Sequence, residues 1–486
     1  MTARLHKALR LALILGGVGV AAAACGVEAQ EQAEKTTQGL SSLRQELLAR
    51  PLSAALGGSA TVEQADADAF KQPIESLSGT QRAGFIFGNQ MFNTVWQPIP
   101  GTQPTTDGLG PVFNREACAA CHVLNGRGRP PENQDGLFES ILVRLSIPGE
   151  DEHGGPNPVP GYGGQLQNRA VEGVTPEGRA VLVYEEVTGA YADGTAYTLR
   201  KPRVEFPELN FGAMPSDVMT SPRVANQIVG LGLLESVPVE MMNALADPDD
   251  VDGDGISGRV NIVWNAVTSE MAPGRFGWKA NVPVLAMQNV GAAQGDMGIT
   301  SPVFPQDNCE QVQTDCVQNA NTHDGPEMTV AFTDRLHWYT QFLAVPAQRN
   351  GDAPQIIRGE EIFRDIGCVQ CHMPTLYTGA NEDFPQLANQ EIHPFTDLLL
   401  HDMGDGLADG RPDFLASGSE WRTAPLWGTG LIETVNEHSL FLHDGRARSR
   451  AEAVLWHGGE AQSAREAFKS MDKAERDNLI AFLKSL

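Results

Sequence analysis

Cys118-Ala-Ala-Cys121-His122 and Cys368-Val-Gln-Cys371-His372 are two copies of one pattern, and together they take up four of the chain's seven cysteines. Thiols spaced in this way can form a redox dithiol, half of a zinc site, or the attachment point of a c-type haem. Neither copy follows a strand in a strand-helix-strand pattern, which disfavours the dithiol. Zinc sites usually join such pairs across roughly 15 to 20 residues, whereas these lie 250 residues apart. The histidine directly after the second cysteine decides the matter. In a c-type site both sulfurs form thioether bonds to the porphyrin, and the adjacent imidazole is then held beneath the iron as proximal ligand. Two copies predict two covalently bound haem c groups, with His122 and His372 as their proximal ligands.

The remaining cysteines speak for an oxidising compartment. Cys309 and Cys316, in NCEQVQTDC, are close enough in sequence for a local disulfide. Residues 1–24 carry Arg4, His6, Lys7 and Arg10 ahead of an apolar run ending in alanines, the layout of a secretory signal peptide. Cys25 follows at once, as in bacterial lipoprotein signals, so residues 25–60 are expected to be a lipid-anchored tether and N-terminal segment. The expected place is the periplasmic side of a bacterial membrane, as an outer-membrane lipoprotein, with soluble periplasm as the alternative. No internal apolar run is long enough to span a bilayer. Residues 1–24 hold three of the 35 Lys and Arg and none of the 61 Asp and Glu, so the mature chain carries a net charge of about −29. Such a surface repels nucleic acid and anionic lipid and steers cationic partners, such as a small cytochrome or cupredoxin acting as electron donor.

Helices must hold each motif in place. AGFIFGNQMFNTVW precedes the first motif, and PQIIRGEEIFRDIG, with apolar Ile357, Ile362 and Phe363, precedes the second. The chain closes on SAREAFKSMDKAERDNLIAFLKSL, where Phe468, Met471, Leu479, Phe482 and Leu483 fall near helical spacing. A helix before the motif and another at the end is the cytochrome c plan. VGLGLLESV at 229–237 and WGTGLIETV at 427–435 match at an offset of 198 residues, one copy after each motif. Residues 180–206 read as short strands with turns at TGA and ADG. The fold class expected is therefore mainly α, with two tandem cytochrome c-like domains at 61–345 and 346–486, the N-terminal one carrying a β-containing insertion.

Spacing alone does not rank His393, His401, Met403, His438, His443 and His457 as the second axial ligand of the C-terminal haem. EWRTAPLWGTGL and SLFLHDGRARSRAEAVLWHGGEA resemble the closing part of the bacterial di-haem cytochrome c peroxidase superfamily, which includes the di-haem enzyme of methylamine utilisation. That resemblance implies His457, fourteen residues after His443, where the family has Met or Tyr; Met403 is the alternative. GRFGWKANVPVLAMQNVGAAQGDMG is similar to the family's stretch around a tryptophan that bridges the haems. It implies Trp278 as the bridge, with Gln288 and Asp296 on the distal side of the N-terminal haem, where an acid moves a proton as peroxide is cleaved. The family's Glu is Asp here. At the family's switch histidine this chain has Phe138, which leaves Met214, Met297, His337 or an open position opposite His122.

NGRGRPP, LGLLESVP, DPDDVDGDGISGR, FGWKA, GDMGITSP and LLLHDMGDGLADGRPD resemble the di-haem oxidoreductase, putative peroxidase family, often labelled thiol oxidoreductase-like, over residues 80–486. The resemblance implies an oxidoreductase of peroxidase type that passes electrons from the C-terminal haem to a reactive N-terminal haem and reduces peroxide or another small oxidant. The alternatives are an electron-transfer cytochrome without peroxidase activity and an oxidase of an organic or protein substrate. Asp250, Asp252, Asp254 and Gly255 match positions 1, 3, 5 and 6 of an EF-hand loop, with Asn261 in place of the bidentate Glu, so a weak calcium site is expected there. Arg127 and Arg129 are candidates for contact with haem propionates.

Overall fold

The structure is a computed structural model that describes residues 42–103, 105–132, 136–320 and 325–486; the expected signal peptide, Cys25 and most of the expected tether lie outside them. Residues 1–50 and 51–486 are separate units. In the first, residues 42–49 form a helix. Everything that follows concerns the second.

Helix α1 (Gly79–Phe92) starts with a capping box between Ser78 and Gln81, which satisfies two of the backbone N–H groups that a helix start leaves over. The first motif forms the single turn α2 (Cys118–Cys121). The longer strands that follow are β1 (Ile141–Glu150), β2 (Gly178–Ala190), β3 (Ala196–Leu209) and β4 (Met219–Val224). Helices α3 (Leu231–Glu235), α4 (Leu285–Met297), α5 (Val330–Gln341) and α6 (Pro354–Asp365) lead to the second motif. Beyond it lie β5 (Leu400–Asp402), β6 (Glu420–Arg422), α7 (Arg450–Trp456), α8 (Gln462–Ser470) and α9 (Lys473–Ser485). Helix predominates, and the sheets are small, two- or three-stranded and mostly antiparallel.

Each motif is preceded by a helix that crosses a later one at a glycine. α1 packs on α5, and a Cβ on Gly88 would stand 2.2 Å from the Arg335 carbonyl oxygen. α6 packs on α9, where a Cβ on Gly359 would stand 2.1 Å from the Asn478 carbonyl oxygen. Only glycine allows backbones this close. The core face of α6 is Ile356, Gly359, Ile362 and Phe363, whereas Ile357 points to solvent. Of the two adjacent isoleucines it is Ile356, not the expected Ile357, that is buried. The C-terminal segment, expected as one helix, is two: α8 ends before Met471, and the Asp472 side chain accepts from the Glu475 N–H to start α9.

The duplicated segments share a local shape. Gly230 and Gly428 both adopt positive φ, +67° and +73°, and each opens a helical turn. They also meet, since a Cβ on Gly230 would lie 2.6 Å from the Trp427 ring. The insertion is one long hairpin of β2 and β3, paired from Gly178 opposite Leu209 to Ala190 opposite Ala196. Of the two turns expected, ADG is the turn and TGA continues the strand. The hairpin tip reaches α8 and α9: Ala192 N–H donates to the Lys469 carbonyl at 2.9 Å, and Arg476 Nη2 to Asp193 Oδ2 at 2.7 Å. Tyr191 packs edge-on against Phe468 and lies under the Arg476 guanidinium at 4.0 Å.

Candidate haem and electron-transfer site

One cavity of about 830 Å³ is lined by both motifs, by Trp278, Gln288 and Asp296, and by His457. Its volume is within the range of cofactor sites.

At the second motif, α6 is capped by Ile366, and Gly367, with φ +85°, turns the chain into Cys368–Gln370. His372 Nδ1 bonds the Phe395 carbonyl at 3.0 Å, and Phe363 of α6 lies 6.2 Å from its ring. His457 follows α7 and bonds the Ala453 carbonyl through Nδ1 at 2.7 Å. Both rings therefore present Nε2, and their centroids are 6.5 Å apart. With metal–nitrogen bonds of about 2.0–2.1 Å and ring nitrogens roughly 1.1 Å from the centroid, two imidazoles on opposite sides of one metal stand about 6.3 Å apart. The pair fits an iron between them. Burial lowers both pKa values, that of His372 to about 4, so both are neutral, the ligating form, at neutral pH.

The other histidines of this half are engaged elsewhere. His401 is held between Asp397 Oδ2 at 2.8 Å and Glu460 Oε2 at 2.6 Å. His393 bonds the Thr375 hydroxyl and the Ser53 N–H. His438 bonds the Arg127 carbonyl and the Leu440 N–H. His443 stacks on Trp421 at 3.7 Å with its Nε2 3.3 Å from Asp444. Met403 lines the cavity.

The first motif repeats the proximal arrangement. His122 Nδ1 bonds the Asn226 carbonyl at 2.7 Å, and Phe92 of α1 lies 6.0 Å from its ring. No second histidine faces it among the described residues. Helix α4 instead brings Met287, Gln288, Asp296 and Met297 to the cavity; neither Met214 nor His337 lines it. Asp296 Oδ1 accepts from Gln165 Nε2 at 2.8 Å, and its carbonyl accepts the N–H groups of Asn114 and Arg115. Burial and then the Asp296 charge push the Cys118 thiol up to about 12 and raise that of Cys121; burial raises Cys368 to about 12. A redox dithiol needs a lowered thiol pKa, so these environments argue against that use.

Trp278 is buried in the cavity wall, its Nε1 donating to the Val224 carbonyl at 2.9 Å. Arg127 lies over its ring at 5.0 Å and His443 meets its edge at 6.5 Å. Arg127 lines the cavity and donates from Nε and Nη2 to the Leu440 and Leu442 carbonyls, and Arg129 is exposed and paired with Glu132. Cys309 and Cys316 are joined by a disulfide with Cα atoms 5.6 Å apart.

The acidic loop is arranged differently from the EF-hand expectation. Asp250 and Asp252 cluster with Asp247, their carboxylate oxygens within 4.8 Å of one another. Asp254 accepts the Ile256 N–H and Gln370 Nε2 instead, and Asn261 is buried, bonded to Lys279, Asp413 and Leu415. Asp247 lay outside the matched pattern. Gln165 was missed too, because its tie to Asp296 depends on strand packing far away in sequence.

A family profile described as "Di-haem oxidoreductase, putative peroxidase" matches residues 53–486. No curated protein matches the chain. Among solved structures, hydrazine synthase of Kuenenia stuttgartiensis, pressurised with 20 bar xenon, is similar at 19% identity with a TM-score of 0.22. That match covers 37% of this chain and 63% of the solved one.

Proposed function

This chain belongs to the di-haem oxidoreductase, putative peroxidase family, and on that premise we propose that it carries two haem c groups with unlike roles. Residues 61–345 and 346–486 would be the two haem domains. Cys118, Cys121 and His122 would hold one haem, and Cys368, Cys371, His372 and His457 the other. Bound haem supplies reversible one-electron iron chemistry, and an open axial position adds ligand binding. The observation that carries the reading is the asymmetry across the cavity: His372 has an imidazole partner at 6.5 Å, whereas His122 has none among the described residues.

In this reading the His372 and His457 end receives electrons, and the His122 end meets a small oxidant such as peroxide. Gln288 orients the oxidant, and the Asp296 carboxyl, held by Gln165, takes and returns its proton. Trp278 fills the space between the ends and keeps water from it. The electron donor would be a small basic cytochrome or cupredoxin drawn to the acidic surface. Export, with Cys25 lipid-bearing on the periplasmic side, belongs to the same proposal; among the described residues no helix is long and apolar enough to cross a membrane. Calcium at the acidic loop would be held by Asp250 and Asp252 with Asp247 in place of Asp254. A second reading, electron transfer without peroxide turnover, is favoured by Met287 and Met297, whose thioethers line the same cavity as His122.

The test is absorption and EPR spectroscopy of the purified two-haem protein, with and without peroxide and cyanide. One haem that takes up cyanide and reacts with peroxide, beside one that does neither, supports the peroxidase reading. Two low-spin haems that bind neither ligand in any redox state leave the electron-transfer reading.

A further inference from the structure

Strands β1 and β4 run side by side with Arg144 opposite Ser221, and they aim Arg144 and Arg223 at the cavity wall, where Arg411 joins them. Asp413 Oδ2 bridges Arg223 Nη1 at 2.9 Å and Arg411 Nη1 at 3.1 Å. Behind them the fully buried Lys279 gives its three protons to Asp409 Oδ1 and the carbonyls of Arg411 and Ser417, each at 2.8 Å. Arg223, Arg411 and Lys279 thus share two carboxylates, Asp409 and Asp413, and Arg144 stands beside them as a further cation. Arg223, Arg411 and Asp413 are each less than a tenth exposed, so the excess charge is not left to solvent.

The pairing is also incomplete atom by atom. Arg223 Nη2 and Arg411 Nε are buried without a hydrogen-bond partner, and Arg223 Nη2 stands 3.9 Å from Asp409 Oδ2, beyond bonding reach. Arg144, half-buried and lining the cavity, has no hydrogen bond or ion pair from its side chain among the described residues. Arg144 pairs through its backbone with Gln165, whose amide donates to Asp296 Oδ1, and the Asp296 carbonyl accepts the N–H groups of Asn114 and Arg115 just before Cys118, which ties Arg144 to the first motif. Buried guanidinium N–H groups left unpaired are costly, and their planar fork matches a carboxylate.

We propose that Arg144, Arg223 and Arg411 form a carboxylate-binding site on the cavity wall, and that its occupants are the propionates of the haem bound at the first motif. The assignment rests on the two-haem reading above. Lys279, Asp409 and Asp413 are positioning residues that fix the fork of arginines. A free carboxylate or phosphate from solution would be recognised by the same chemistry and is the competing source.

Spectroelectrochemistry on the full two-haem protein separates these possibilities, with Arg144→Leu as the main variant and Arg144→Gln read in its place if the first does not fold. Removing a cation beside a haem edge stabilises the ferric state. One midpoint potential is therefore expected to fall while the other stays in place, and Arg144→Lys should restore most of the difference. Two unchanged midpoints in a folded variant overturn the proposal. Acetate and inorganic phosphate are then titrated into the parent protein. A saturable shift that Arg144→Leu abolishes would mean a free anion fills the site, which also overturns it; no such shift is expected. Haem content by pyridine haemochrome is measured alongside. Fewer than two haems per chain defeats the two-haem reading itself, whatever the potentials do.

Discussion

Replacing His457 by Ala tests the C-terminal site most directly. The substitution removes one of two imidazoles whose centroids stand 6.5 Å apart and leaves the opposite one, His372, anchored by the Phe395 carbonyl. One axial bond is lost at one haem of two, so about half of the ferric haem signal should pass from low-spin to high-spin, with the other half unchanged. The vacated volume is that of a ring lying against α7, and the lost packing should cost about 1–3 kcal/mol of stability. Because the hole has the shape of an imidazole, millimolar free imidazole should restore the low-spin signal. EPR and absorption spectra of the ferric protein measure both effects. A variant that keeps the parent's full low-spin signal and ignores imidazole would refute the pairing and shift attention to Met403.

Asp296→Asn should lower peroxide turnover by roughly 10²- to 10⁴-fold while leaving haem content intact, because the amide fits beside Gln165 and cannot carry a proton; steady-state kinetics and haemochrome content check this. Asp444, fully buried, accepts from Arg446 and faces His443. Burial opposes its charge, yet His443 and Arg446 hold its pKa below the ordinary carboxylate value. Its contribution to stability is therefore complete above about pH 3.9 and is lost as pH falls toward the lower folded value. Asp444→Asn should cost about 3–5 kcal/mol near neutrality and flatten that acid limb, as read from urea unfolding against pH. Arg476→Ala should destabilise by about 1–2 kcal/mol through loss of its pair with Asp193 and its stacking on Tyr191, and should speed proteolysis at the hairpin tip. Calcium is expected to bind the Asp247, Asp250 and Asp252 group weakly, with Kd near 10⁻⁴–10⁻³ M; a silent calorimetric titration would remove it from the cofactor set.

The haem motifs were legible because covalent attachment demands fixed residue types at fixed spacing, and the helices before them because amphipathic period survives in a single sequence. Even there, adjacent Ile356 and Ile357 have equal hydrophobicity, and only the crossing with α9 decides which is buried. His457 was named by resemblance, since nothing in the sequence shows that His393, His401, His438 and His443 take other partners in the fold. The acidic loop was read as an EF-hand pattern, yet Asn261 and Asp254 are drawn away by Lys279, Leu415 and Gln370. The arginine cluster left no trace in sequence. Its members come from two strands and a distant loop, and nothing local marks Arg144 out from the exposed arginines.

The hairpin of β2 and β3 has a consequence for how the chain is made. Its tip is secured by Arg476, 283 residues beyond Asp193. Closing so long a loop is slow and comes only after the whole chain is present. Until then the hairpin tip lacks its partners in α8 and α9, and the unpaired edges of a two-stranded sheet invite strands of neighbouring chains. Truncation before α9 should therefore show up first as aggregation through the N-terminal half, far in sequence from the deleted residues.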